Sequence, residues 1–108
     1  MQITDLNGSA EGIRIFRLAG PFVITNIFGF QSKVREDVSP TLILDFTGVP
    51  LIDSAGIGAL VGAYVNRQKD GRRFALVGVN QRVRNALEVT RVESLFHFYN
   101  SVEEAEKG

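Results

Sequence analysis

The sequence predicts an α/β domain built on a mixed, mostly parallel β-sheet with helices packed on it. Strand-like and helix-like segments alternate along the chain, and the run at residues 42–46 is almost continuously apolar, as in a central strand covered on both faces. Hydrophobic residues make up 44% of the sequence. With 108 residues, the chain is expected to form one domain, residues 1–108, that buries a core without disulfides or metal.

The N-terminal region predicts two strands within residues 2–18, joined by a turn at Asn7-Gly8, the dipeptide most favoured in tight hairpins. Residues 13–18 form the clearer strand. Both of its faces are mostly apolar, so the sequence leaves open which face is buried.

The first helix is predicted over residues 25–37, ended by Ser39-Pro40. Its apolar residues recur at helical spacing and are Ile27, Phe30 and Val34. The central strand at residues 42–46 follows and carries Asp45 near its end.

The second helix is predicted over residues 54–68. Its expected inner stripe consists of Ile57, Leu60, Val61, Tyr64 and Val65. Residues 74–79 then form another predicted buried strand.

The C-terminal part of the chain predicts a third helix, a short strand at residues 95–99 and a last helix. Asn80 caps the third helix, whose inner residues are Val83, Ala86 and Leu87. Ser101, with Glu104 three residues later, forms a capping box for the last helix.

Composition and charge exclude several classes of partner. The 12 basic and 12 acidic residues cancel, so no global field draws the chain to nucleic acid or to a membrane. The sequence shows no leader, no bilayer-length apolar run and no cysteine, which predicts a soluble, cytoplasmic protein. Two basic clusters are interpreted as solvated helix ends, and they contain Arg67, Lys69, Arg72 and Arg73 and then Arg82, Arg84 and Arg91.

Few residues offer catalytic or metal chemistry. The single histidine, His97, is expected on a strand, and thiol chemistry and the common zinc ligand sets are excluded. Asp45 and Asp53 could hold magnesium, although Asp53 also suits the region before a helix. No nucleophile elbow, Walker loop or paired general acid and base is present, so we expect no enzyme, cofactor or metal site.

The glycines at Gly56, Gly58 and Gly62 superficially resemble a dinucleotide-binding pattern. The last glycine falls one position too late, and the first lies inside the helix instead of the turn before it. We therefore expect Gly56 and Gly58 to serve packing or access to the loop.

Ser54 is the most informative polar residue, because it stands where the second helix begins. Serine is a preferred N-cap, and the positive end of a helix also favours a phosphate. From local physics alone, Ser54 is either a cap or a phosphate-bearing residue.

A resemblance to a known family distinguishes these possibilities. Residues 42–64 read LILDFTGVPLIDSAGIGALVGAY and closely resemble the central segment of the STAS domain of bacterial anti-sigma factor antagonists. Residues 78–87 and 92–105 are similar to the family's third-helix region and to its final strand with an acidic last helix. The resemblance covers nearly the whole chain and implies the STAS fold.

The resemblance implies a partner-switching protein without enzymatic activity. The unmodified form would bind an anti-sigma factor that is also a serine kinase, and phosphorylation of Ser54 would break the complex until a serine phosphatase resets it. The implied partner-binding residues are Asp53, Ser54, Ala55, Gly56, Ile57 and Gly58.

One segment departs from the family pattern. The family commonly has Gly-Glu-Leu-Asp after the second strand, whereas this chain has Gly20-Pro21-Phe22-Val23. Phe22 and Phe28 are either core residues or part of a more apolar surface near helix one. The alternative function is a STAS binding or scaffold module of a stress-signalling or lipid-transport complex without a phosphorylation switch.

Overall fold

The computed structural model describes residues 1–108. Five strands form one sheet in the order β1-β2-β3-β4-β5. The first pair is antiparallel and the other three are parallel, which confirms the mixed, mostly parallel sheet. The strands are β1 (Gln2–Asn7), β2 (Ile13–Ala19), β3 (Thr41–Gly48), β4 (Arg73–Val77) and β5 (Phe98–Tyr99). The α-helices are α1 (Phe28–Glu36), α2 (Ser54–Lys69), α3 (Gln81–Val89) and α4 (Val102–Lys107).

Both faces of the three parallel central strands are buried. In register across β2, β3 and β4, one row of side chains belongs to the main core, which also contains residues of α1, α2 and α3. The next row belongs to a smaller core with Ala105 of α4. The two rows are Phe16, Leu44 and Leu76, and Ile15, Ile43 and Ala75. The sequence left open which face of β2 is buried, and the structure shows that both faces are.

Several element boundaries differ from those predicted. The hairpin has a five-residue loop at residues 8–12 instead of a tight turn at Asn7-Gly8. Asn7 belongs to the first strand, where it pairs with Arg14. Helix α1 begins only at Phe28, after a turn. Strand β4 ends before Gly78, whose φ of 68° departs from extended backbone.

The last strand is also shorter than predicted. A short 3₁₀ helix occupies Glu93–Leu95, so β5 contains only Phe98 and Tyr99. His97 lies exposed just before β5, and only its carbonyl joins the sheet, accepting from Leu76 N at 2.9 Å. The predicted place of His97 within a strand was wrong.

The inner face of α2 is offset from the predicted stripe. Its buried residues are Gly56, Ala59, Leu60, Ala63 and Arg67, whereas Val65 is 53% exposed. Small side chains on the inner face let a helix approach its neighbours closely, and the larger apolar residues of the predicted stripe then lie at its edges.

Helices α1 and α2 run side by side in the same direction and are joined at both ends. At their starts, Ile24 N donates to Asp53 Oδ2 at 3.1 Å. At their ends, Arg67 Nη1 donates to Asp37 Oδ2 at 2.9 Å. Arg67 is almost fully buried, so its interpretation as a solvated helix end was wrong. No helix has both the length and the apolar character needed to cross a membrane.

Candidate functional site

Asp53 and Ser54 have different roles at the start of α2. Asp53 is the N-cap, and its Oδ1 accepts from Gly56 N at 2.8 Å. Ser54 is the first helical residue and is exposed, and its hydroxyl makes no hydrogen bond within the chain. The interpretation of Ser54 as the cap was therefore wrong. Asp53 occupies the cap position, with an extended backbone and a side-chain oxygen that accepts from Gly56 N. The Ser54 hydroxyl remains free.

The Asp53 carboxylate also makes a long-range hydrogen bond. Its other oxygen accepts from Ile24 N, so one side chain connects the start of α2 to the turn that precedes α1. The bond from Gly56 N is the largest cause that holds the pKa of Asp53 below its usual range; burial opposes it, and the bond from Ile24 N adds to it. The carboxylate is thus kept ionised beside Ser54 by backbone donors.

The segment that departs from the family pattern lies directly against this loop. Gly20 N donates to Gly48 O and Phe22 N to Leu51 O, both at 2.9 Å. Phe22 itself is fully buried, whereas Phe28 is 75% exposed. Of the two interpretations left open by the sequence, the core position applies to Phe22 and the apolar surface near α1 applies to Phe28.

The two glycines that the sequence singled out have different surroundings. A Cβ at Gly56 would overlap the carbonyl oxygen of Phe22, so this glycine is required for packing. A Cβ at Gly58 or Gly62 would meet nothing within 4 Å. Gly58 is exposed and therefore has no internal packing role, and its predicted role in access to the loop stays a prediction.

The two aspartates considered for magnesium are bonded to the chain itself. Asp45 Oδ1 accepts from Thr47 N at 3.0 Å and from Thr47 Oγ1 at 2.6 Å. Both oxygens of Asp53 accept backbone N–H groups. No group of three or more His, Cys, Asp or Glu side chains is arranged to hold a metal ion. These contacts favour the structural interpretation of both carboxylates.

Sequence reasoning missed Ile24. Its backbone N–H fixes it to Asp53, and its side chain is 61% exposed. The available signal was the absence of charge in its neighbourhood, since residues 18–32 contain no Asp, Glu, Lys or Arg.

Comparisons with known sequences identify a family and several relatives. The STAS domain family model matches residues 9–105. A Thermotoga neapolitana relative, named as a homologue of the anti-sigma factor antagonist TM1081, is 31% identical over 64 residues, covering 59% of this chain and 57% of the relative. This chain thus spans less than two thirds of that relative's length. The anti-sigma-B factor antagonist of Staphylococcus aureus is 24% identical over 72 residues, covering 67% of each chain.

Solved structures show the same fold. The crystal structure of the Thermotoga maritima protein TM1081 matches with a TM-score of 0.88 at 22% identity, covering 97% of this chain and 92% of that one. The Bacillus protein SpoIIAA matches in its unphosphorylated form with a TM-score of 0.78 at 17% identity, covering 98% and 92% of the two chains. Its phosphorylated form matches with 0.74 at 16% identity, covering 98% and 97%.

Proposed function

Because this chain belongs to the STAS domain family, we propose that it is an anti-sigma factor antagonist controlled by phosphorylation of Ser54. In the unmodified state it binds an anti-sigma factor serine kinase in the cytoplasm and thereby releases a sigma factor. The kinase transfers the γ-phosphoryl group of ATP to the Ser54 oxygen, ADP leaves, and the serine proton passes to a base of the kinase. A serine phosphatase resets the switch by hydrolysis.

The free hydroxyl of Ser54 carries this proposal. It is exposed at the first position of α2, while Asp53 satisfies the cap. A kinase can therefore phosphorylate the hydroxyl without breaking any hydrogen bond of the folded protein. The names of the curated relatives, and the likeness to a fold solved with and without phosphate, support the same assignment.

Phosphorylation would oppose a complex by electrostatics. Phosphoserine adds about −1.5 to −2 charges at neutral pH. The neighbouring Asp53 is already held ionised by Gly56 N, so the phosphate joins a fixed negative charge. A partner covering Ser54 would have to desolvate both groups, which disfavours binding.

One observation favours a second candidate, a constitutive STAS scaffold. Gly20, Pro21, Phe22 and Val23 supply none of the acidic side chains that the family commonly has near the phosphate acceptor. If those acids are needed for recognition by the kinase, this chain would bind its partner without a switch.

The test combines phosphorylation with binding. Purified protein and ATP are incubated with the anti-sigma factor serine kinase encoded beside its gene, and phosphopeptides are mapped by mass spectrometry. We expect phosphate on Ser54, loss of labelling in Ser54→Ala, and unchanged labelling in Ser94→Ala, which removes another exposed serine. By calorimetry, Ser54→Ala should bind as the wild type does, whereas Ser54→Asp should bind more weakly. Equal affinities for wild type, Ser54→Asp and the phosphorylated protein would favour the scaffold.

A further inference from the structure

The loop at residues 49–53 connects β3 to α2 and ends directly before Ser54. Its second half is bonded to the segment that precedes α1. Phe22 N donates to Leu51 O at 2.9 Å, and Asp53 N donates to Phe22 O at 3.3 Å. Neither bond reaches the first half of the loop, which is therefore held by other contacts.

Asn80, the residue that caps α3, supplies those contacts. Its Nδ2 donates to Val49 O at 3.1 Å and to Pro50 O at 3.3 Å. No backbone N–H of the chain donates to either carbonyl. The Asn80 Oδ1 accepts from Val83 N at 2.8 Å. One amide group thus binds the start of α3 with its oxygen and the Ser54 loop with its nitrogen.

The orientation of the Asn80 amide follows from its partners. A backbone N–H can only donate and a carbonyl oxygen can only accept, so the amide oxygen must face Val83 N and the amide nitrogen must face the loop. The contact is also built into the fold, because β3 and β4 are parallel and α2 and α3 begin at the edge where these strands end. Gly78 has a φ of 68°, and a Cβ there would overlap the Thr47 hydroxyl at the end of β3.

We propose that Asn80 is a positioning residue for the phosphorylation of Ser54. This inference rests on the proposed function and adds the side chain that fixes the acceptor loop from the side of α3. A kinase must align the serine oxygen with the transferred phosphoryl group, and a small misplacement of a reacting group costs a large factor in rate. By holding Val49 and Pro50, Asn80 fixes the path of the loop into α2 and so the place of the Ser54 hydroxyl.

Capping of α3 alone does not require an asparagine. Asparagine, aspartate and serine cap helices about equally well. Of the three, only asparagine presents an oxygen to the helix and, on a separate atom, an N–H donor to the loop. Substitution can therefore remove the contact with the loop while a capping oxygen remains at position 80.

Single-turnover kinetics with the purified anti-sigma factor kinase in excess test the inference. Asn80→Ser should lower the rate constant of Ser54 phosphorylation at saturating kinase by about tenfold and change the half-saturating kinase concentration less than about twofold. Asn85→Ser is the matched control on α3, because Asn85 is exposed and its side chain bonds only to Gln81 Nε2. It should keep both quantities within about twofold of the wild type.

Amide hydrogen exchange shows whether the loop or the cap has changed. In Asn80→Ser, the amides of Asp53 and Gly56 should exchange faster, because the loop that carries the α2 cap is held from one side only. The Val83 amide should keep its protection, because the serine oxygen still accepts from it. Melting curves of both variants verify that each remains folded.

The outcomes separate this inference from the proposed function. If the kinase phosphorylates Ser54 equally fast in the wild type and in Asn80→Ser, the inference is overturned and the proposed function stands. A change confined to the half-saturating concentration also overturns it, because Asn80 would then contact the kinase. If the Val83 amide loses protection, Asn80→Asp decides: a similar fall in rate supports the inference, and the wild-type rate overturns it. If the wild type is not phosphorylated at all, the proposed function fails and the inference fails with it.

Discussion

At the scale of single residues, Asp53 caps α2 while the hydroxyl of its neighbour Ser54 stays exposed and free to react. Asp53 holds Gly56 N and Ile24 N, and Ser54 holds neither. A modified Ser54 therefore changes the charge of the surface without removing a bond that supports α2. The helix cap and the proposed phosphate acceptor are therefore neighbouring but different side chains.

Asp53→Ala should lower the free energy of unfolding by about 1 kcal/mol, the usual cost of losing an N-cap side chain. Ser54→Ala should change it by less than about 0.5 kcal/mol, because the Ser54 hydroxyl bonds to nothing in the chain. Urea denaturation at neutral pH measures both. Equal losses in the two variants would mean that Ser54 shares the cap.

The contribution of Asp53 to stability should depend on pH. The pKa of Asp53 is lowered in the folded state by the bond from Gly56 N, so its stabilisation is complete above the ordinary aspartate value of 3.8 and is lost as pH falls through the lower folded value. The difference in stability between wild type and Asp53→Ala should therefore shrink as pH falls from about 5 towards about 2. A difference that stays constant over that range would contradict the role of the ionised carboxylate.

At the scale of elements, α2 uses its glycines for two different purposes. Gly56 faces inward against the Phe22 carbonyl, and Gly58 faces outward, in a shallow groove between α1 and α2. Helix propensity alone would disfavour both, since glycine costs about 1 kcal/mol relative to alanine inside a helix. The close contact compensates for this cost at Gly56, whereas nothing in the isolated domain does so at Gly58.

Substitution by alanine should therefore have opposite effects at these positions. Gly56→Ala should destabilise the domain by about 1–3 kcal/mol, because the new methyl group overlaps backbone. Gly58→Ala should stabilise it by up to about 1 kcal/mol, because the added methyl group enters open space. Chemical denaturation of the two variants provides the comparison. Destabilisation by Gly58→Ala would show that this glycine has a packing role.

At the scale of the whole molecule, polar contacts join α1 and α2 at both ends, and the contact at their C-terminal ends is made by Arg67. Arg67 is buried and donates to Asp37 Oδ2 at 2.9 Å, to the Ser39 carbonyl at 2.6 Å and to the Arg73 carbonyl at 3.2 Å. Burial lowers the pKa of the Arg67 guanidinium, and Asp37 partly opposes that shift. The guanidinium thereby ties the end of α2 to the segment after α1 and to the start of β4.

Arg67→Met should be strongly destabilising, by about 3–5 kcal/mol, because it leaves the Asp37 carboxylate, whose side chain is only 10% exposed, without its charged partner. Adding Asp37→Ala should recover part of the loss. Arg72→Met is the control: Arg72 is partly exposed and pairs with Asp70 at 3.6 Å, so its loss should cost about 1 kcal/mol or less. Urea denaturation of the set measures the coupling, and equal losses for Arg67→Met and Arg72→Met would contradict it.

The order of strands and helices followed from the sequence, because burial on both faces or on one face leaves distinct hydrophobic periods. Local chemistry also identified two caps correctly: Asn80 accepts from Val83 N, and Ser101 accepts from Glu104 N. Boundaries were less accurate. The fifth strand shortened because residues 93–95 satisfy their backbone in a 3₁₀ turn, which no local pattern required.

The sequence by itself determined the class of fold and the position of Ser54 at the start of α2, since both depend on residues close together in the chain. Only the tertiary structure decided that Asp53 also accepts from Ile24 N, that Phe22 is buried while Phe28 is exposed, and that Arg67 is buried against Asp37. Each of these depends on a partner far along the chain: Ile24 for Asp53, the facing core for Phe22, and Asp37 for Arg67. A linear pattern records which side chains are apolar or charged, but long-range packing chooses which of them meet and which remain exposed to water.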